Sequence, residues 1–316
     1  MKKRVRSHYR VKNWPEYNRA LTERGSVNLW IAPDIEKTWL AEPDGSRGCP
    51  RTYSEKAMEV MALLRAVFHL TLRMAEGFLR SLFPRLRIDL PVPHASTVSR
   101  RTTSLKVALG PLPSGPVDIL IDSTGIKIYG EGEWKVRKHG ASKRRTWDKH
   151  HIAVDARTRK TLAVVTTRST VQDPEVVEQL LSQIPGPIAS IAGDGIYDTR
   201  WCRFLAAERG ARALIPPRTN AKPWRETAAG ARERNANIAR IGEIGRAGWK
   251  AEVGYHRRSL VETEMFRQKT IFGERLSSRR EVSRACELRV RTLALNMMTE
   301  LGMPESYTVT PLASTA

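Results

Sequence analysis

The chain has 316 residues, with 54 Lys and Arg against 33 Asp and Glu, a formal net charge of +21 and an isoelectric point near 10.4. That length carries one large domain or two ordinary ones, each with its own core, so disorder is not the default. No stretch approaches the roughly eighteen continuous apolar residues of a membrane span. The Lys/Arg-rich start lacks the apolar run of a signal peptide, and the positive excess attracts a polyanion; the chain reads as soluble and cytosolic.

In chain order, residues 1–50 mix aromatic, basic and turn-forming residues, as in "NWPEYNRALTERGSVNLWI", and read as an irregular or short-helical arm. After "RTYSE", Thr52 and Glu55 stand at capping-box spacing. Ala57, Val60, Met61, Leu64, Val67 and Phe68 then form one apolar stripe, which predicts a helix. A second helix is expected from about 73 to 83. Beyond prolines 84, 91 and 93, "HASTVSRRTTSLKVAL" starts a third, with Ser96 as its cap and Arg100, Arg101 and Lys106 as its cations. Three helices ending in a basic one suggest a helix-turn-helix-like DNA-binding or dimerisation domain over 51–110, with Arg100 and Arg101 touching DNA. A helical bundle with a solvated basic face fits the same pattern.

"GPLPSGP", residues 110–116, is a Pro/Gly linker and marks a domain boundary. The pattern then changes to strands. "VDILID" is one, "HHIAVDART" and "KTLAVVTTRS" make a hairpin around Thr158 and Arg159, and "PEVVEQLLSQI" is a helix. "IASIAGD" is a buried strand, "TRWCRFLAAERG" a helix ending at Gly210, and "RALIPP" a last strand. Three strands followed by alternating helix and strand predict a mixed α/β sheet with helices packed on it, over 111–302. Residues 217–250 show no sustained period and read as an inserted or mobile basic loop; "EVSRACELRVRTLALNMMTEL" closes the domain as an amphipathic helix, and 303–316 is a frayed tail.

Cys49, Cys202 and Cys286 lie far apart, with no partner at zinc-ligand spacing, and read as reduced and structural. His150 and His151 point to opposite faces of a strand, which disfavours a histidine metal site. The acids are more informative. Asp122 closes the apolar run "ILID" and Asp194 follows "IAG". Carboxylates where buried strands emerge are costly unless paired, capped or bound to a cation. An Asx-type turn explains Asp122 and a glycine-flanked loop acid explains Asp194. Taken together with a later helix carrying a glutamate, they also form the oxygen-donor set that Mg²⁺ prefers for phosphodiester chemistry.

That glutamate comes from "YHRRSLVETEMFRQK". At about 100° per residue, Arg258, Glu262 and Lys269 fall within about 60° of Tyr255, and Glu264 falls about 180° away. Glu262 therefore shares a face with a phenol and two cations suited to DNA phosphates. An i,i+4 ion pair between Arg258 and Glu262 is the alternative.

At these residues the chain resembles the DDE transposases of bacterial insertion sequences, specifically the insertion-sequence-five family. Its Tyr-x-x-Arg-x-x-x-Glu-x-x-x-x-x-x-Lys signature matches Tyr255, Arg258, Glu262 and Lys269. The resemblance extends to "LIDSTGIKIYGEGEW", "AGDGIYD", "LNMMTELGMP", "YNRALTERGS" and "STVSRR", nearly the whole chain. It implies an RNase H-like core with Asp122, Asp194 and Glu262 as catalytic and metal-binding residues, two Mg²⁺ ions per site with Mn²⁺ able to substitute, and Tyr255, Arg258 and Lys269 on the DNA backbone. It further implies cleavage at terminal inverted repeats, attack of the freed 3′-hydroxyl on target DNA, and a homodimer or higher synaptic oligomer in the bacterial cytoplasm, on the nucleoid. The basic segment 134–151, with Trp134 and Trp147, and the loop with Trp224 and Trp249 read either as single-strand contacts or as solvated loops whose tryptophans pack on the core. Two other functions fit the same residues: a catalytically silent DNA-binding descendant, and an RNase H-like nuclease that never joins strands.

Overall fold

The computed structural model describes residues 8–309 apart from 44, 46, 47, 49 and 129–146. Its central sheet has the order β4-β3-β2-β5-β6. β2 (Val117–Lys127), β3 (Trp147–Asp155) and β4 (Thr161–Arg168) are antiparallel neighbours, while β5 (Ile188–Ala192) and β6 (Arg212–Leu214) run parallel to β2. The hairpin between β3 and β4 turns where the sequence predicts, with Arg159 at φ 61°.

Successive residues of β2 supply opposite faces, because a strand alternates its side chains. Ile119 and Ile121 enter a core with Val177, Leu180 and Ile191, under α7 (Val177–Ser182) and α8 (Arg200–Glu208). Leu120 enters the other core, with Val261 and Met265 of α10 (Ser259–Phe272) and Val290 and Leu295 of α11 (Glu281–Leu301). The second core does not stop at the linker. α4 (Glu55–Val67) and α5 (Leu72–Arg85) pack into it, and so do Leu105, Val107 and Leu109.

The amino-terminal segment is tied in as well. β1 (His8–Val11), α1 (Trp14–Glu23), α2 (Val27–Trp30) and α3 (Ile35–Thr38) precede α4, and Trp30 and Trp39 are buried among its neighbours. Trp39 Nε1 donates to the Pro91 carbonyl at 2.7 Å, and its ring meets Phe83 edge-on at 5.2 Å. Of the two expectations, irregular or short-helical, the short-helical one describes this arm, and two indoles fix it to the core. β1 also pairs antiparallel with β7 (Ser306–Val309), so the start of the expected frayed tail is a strand.

Two caps shift from their expected positions. Ser54, not Thr52, caps α4, its Oγ accepting from Ala57 N at 3.1 Å. His94 rather than Ser96 caps α6 (Ala95–Arg101), its Nδ1 accepting from Ser96 N at 3.2 Å. α6 ends before Lys106, which therefore lies outside the helix.

The largest correction falls on residues 217–250. There α9 (Ala231–Glu252) is a long helix, kinked at Gly245, whose φ of 74° leaves the helical region. Its Ala, Arg and Glu content carries the helix propensity that the missing apolar period concealed. Trp249 is buried, with Nε1 donating to Asn237 Oδ1 at 3.1 Å, and the Arg234 guanidinium lies 4.0 Å from the Trp224 ring centre. Both tryptophans are packing residues. The segment 134–146 lies outside the described residues; Trp147, at the start of β3, is exposed. Cys202 and Cys286 are buried free thiols, and Cys49 lies outside the described residues. Among the described residues no helix is long and apolar enough to cross a membrane.

Candidate active site

β2 does not end on Asp122 but continues to Lys127. What ends is its pairing with β5, whose last partner pair is Leu120 and Ala192, while Asp122 is still paired with Ile152 of β3. Asp122 therefore stands in the notch where β5 gives out. Asp194 follows two residues beyond β5 and caps a 3₁₀ turn, Gly195–Tyr197, its Oδ1 accepting from Ile196 N at 2.9 Å. Gly193 allows that approach, because a Cβ there would lie 2.7 Å from Tyr197 Cδ2 and 3.1 Å from Ile121 Cγ1.

The third acid arrives from α9 through a short 3₁₀ turn, Tyr255–Arg258, which runs into α10. Tyr255 and Arg258 are thus not on the same regular helix as Glu262. The turn is held from three sides. The Tyr255 hydroxyl donates to the Gly193 carbonyl at 3.2 Å, Arg257 Nη1 to Asp118 Oδ2 at 3.3 Å, and Arg258 Nη2 to Asp122 Oδ2 at 2.6 Å. Asp118 and Asp122 share one face of β2, so two successive arginines grip one strand four residues apart. Asp118 also accepts from Ser190 Oγ at 2.5 Å.

Arg258 Nη1 reaches Glu262 Oε1 at 2.5 Å. The i,i+4 pair is therefore real, and the same guanidinium binds Asp122. Burial raises the Asp122 pKa above its ordinary value; Arg258 opposes the shift, and Asp194 and Glu262 add to it. Burial works against the charge on Arg258, yet Asp122, Tyr255, Glu262 and Asp194 carry its pKa above the usual arginine value. The two directions agree physically: one arginine is shared among several acids, so it is fully held while Asp122 is incompletely compensated.

Glu262 is exposed on α10 and Glu264 is buried on the far side, where Arg267 Nη1 donates to its Oε2 at 2.7 Å. The opposition expected from helical spacing is present. Lys269 is half-buried lower on the same helix. In α6, Arg100 is exposed, while Arg101 turns inward to the Tyr53 carbonyl at 2.9 Å and to Glu55 Oε1 at 2.5 Å. That pairing makes Arg101 a link between α6 and the start of α4.

Four residues of this neighbourhood escaped the sequence reading: Asp118, Arg257, Asp198 and Arg234. Asp118 had a signal, its two-residue alternation with Leu120 and Asp122 along β2. Asp198 and Arg234 had none, because their pairing joins separate elements.

No group of three or more His, Cys, Asp or Glu among the described residues is arranged to hold a metal ion. The chemistry of Asp122 and Glu262 nevertheless suits one. Asp122 and Glu262 already direct one oxygen each at a single cationic group, and hard carboxylate oxygens suit Mg²⁺ or Mn²⁺.

A family model described as Transposase DDE domain matches residues 113–297, and another of the same description matches 22–131. The first spans more than half of the 316 residues. The chain belongs to the DDE transposases, a family of DNA-cleaving enzymes that use divalent metal ions. Among solved structures, it is similar to a piggyBac transposase in a synaptic complex with hairpin DNA, determined by cryo-electron microscopy. The identity is 10%, covering 89% of this chain and 75% of that one, at a TM-score of 0.38.

Proposed function

We propose that the protein is an insertion-sequence transposase of the insertion-sequence-five type, which binds terminal inverted repeats and catalyses metal-dependent strand cleavage and transfer. The observation that carries this reading is the convergence of Asp122 and Glu262 on one cation, with Asp194 just beyond the end of β5, the strand beside Asp122's own. In this reading the sheet is an RNase H-like core and Asp122, Asp194 and Glu262 hold the divalent ions. A divalent ion there supplies Lewis-acid stabilisation of the scissile phosphate and activation of the attacking oxygen.

The chain's own groups do the rest. Tyr255 fixes the Gly193 carbonyl and so the backbone beside Asp194. Arg258 and Lys269 offer positive charge to DNA phosphates, as does Arg100 in a helix-turn-helix-like amino-terminal domain. Cleavage breaks one phosphorus–oxygen bond as water attacks; transfer breaks another as the freed 3′-hydroxyl attacks target DNA. Both steps use the same carboxylates. Paired ends require at least a homodimer.

The test uses a labelled fragment carrying the DNA that flanks the coding region, with a supercoiled plasmid as target and Mg²⁺ present. Joined products are expected. Nicks without joining favour a nuclease, and binding without nicks favours a silent DNA-binding protein.

A further inference from the structure

We propose that Arg258 occupies the cation's place in the DNA-free protein, so that metal ion and guanidinium compete for Asp122 and Glu262 and DNA phosphate relieves the competition. This inference rests on the assignment of those acids as metal ligands. The contacts that carry it are two. Nη2 lies 2.6 Å from Asp122 Oδ2, and Nη1 lies 2.5 Å from Glu262 Oε1.

Those are oxygens a metal ion would need. The remaining Asp122 oxygen, Oδ1, accepts from Ser123 N at 2.9 Å, so the carboxylate is engaged on both sides. Arg258 is equally committed. Its side chain is 15% exposed, and its Nε is buried without a hydrogen-bond partner among the described residues. A guanidinium spent on two carboxylates is not available to a phosphate.

The turn favours a moving side chain on a fixed backbone. Tyr255 and Arg257 anchor it to Gly193, next to Asp194, and to Asp118 of β2. From that base the long arginine side chain can leave without disturbing the fold. Charge balance gives the direction. An ion on Asp122 and Glu262 replaces the arginine as their counter-charge, and the freed arginine then needs an anion, which a DNA phosphate provides. Metal and DNA therefore bind with positive coupling, each raising the other's affinity. The device suppresses metal loading, and with it cleavage, until DNA is in place.

The test is Mn²⁺ titration of the DNA-free full chain, followed by the electron paramagnetic resonance signal of free Mn²⁺. Arg258→Gln removes the competing charge and is expected to bind Mn²⁺ about tenfold more tightly than wild type. Arg258→Lys, which cannot fork onto two carboxylates, should fall between them, and it serves if Arg258→Gln loses its near-ultraviolet circular dichroism. Wild-type affinity equal to that of the substituted chains overturns the proposal. Adding Asp122→Asn or Glu262→Gln to Arg258→Gln should abolish the tight binding. If it persists, the ion sits elsewhere and the assignment of the acids fails too; if Arg258→Gln binds Mn²⁺ no more tightly than wild type and the acid substitutions abolish that binding, only the competition fails.

Discussion

Arg234 forks onto Asp198, with Nε 2.9 Å from Oδ1 and Nη2 2.9 Å from Oδ2, and both side chains are buried. Arg203 Nη2 joins the same carboxylate at 3.2 Å and also donates to the Ile215 carbonyl at 2.6 Å. One acid thus clasps α8 and α9 to the edge of the sheet, and α9 leads directly into the turn that carries Tyr255 and Arg258.

Asp198→Ala strands two buried guanidinium groups, and breaking such a pair costs about 3–5 kcal/mol. Arg234→Ala leaves Asp198 still bound to Arg203 and should cost less. Urea unfolding of the two variants checks the order; a smaller loss for Asp198→Ala would contradict it.

Tyr255 spends its hydroxyl on the Gly193 carbonyl, not on solvent. Tyr255→Phe removes one hydrogen bond, worth about 1 kcal/mol. Metal-free DNA affinity should therefore hold while the nicking rate falls, because the backbone beside Asp194 loosens. A drop in affinity with a shallower salt dependence would instead make the phenol a phosphate contact.

Glu264 is buried against Arg267, which also donates to Thr299 Oγ1 at 2.9 Å, and burial raises the Glu264 pKa. Its removal is not innocuous, although helical spacing alone makes it look like a neutral control for Glu262. Glu264→Ala strands Arg267 and should lower stability by about 3–5 kcal/mol. Glu264→Gln keeps an acceptor and should lose less. Thermal denaturation distinguishes the two, and equal melting temperatures would refute the burial argument.

His150 and His151 are both fully buried on β3. Burial lowers their pKa values from 6.5 to about 3 and about 4, respectively. The unfolded chain therefore takes up protons that the folded chain refuses, so stability falls as pH drops below about 6.5 and continues to fall towards pH 4. His151 Nε2 lies 2.9 Å from Thr167 Oγ1, a contact that His151→Asn can keep in part. Urea midpoints across pH 5 to 8 should flatten in that variant; an unchanged slope would remove His151 from the cause.

The strands of the central sheet and the helices with an apolar stripe were legible because that spacing is local. "EVSRACELRVRTLALNMMTEL" coincides with α11, and the mixed α/β sheet matches three strands followed by alternating helix and strand. The opposition of Glu262 and Glu264 was legible for the same reason. The helix in 217–250 was not, since what holds it is a buried ion pair to Asp198 rather than an apolar stripe. Nor could spacing show that a 3₁₀ turn interrupts the helical wheel at Tyr255 and Arg258, or that Arg101 is drawn inward by Glu55. The closure of β1 on β7 joins opposite ends of the chain, which no short window contains.

In the proposed function, Asp122, Asp194 and Glu262 form one metal-dependent cutting site. Its most direct measurement is Mg²⁺-dependent nicking of the flanking-DNA fragment by wild type and by Asp122→Asn, Asp194→Asn and Glu262→Gln, at matched folding and matched DNA binding. Each substitution should reduce the nicking rate by at least about a hundredfold, a barrier increase of about 2.7 kcal/mol, with DNA affinity retained. Nicking at near wild-type rate by any one of the three would contradict the site.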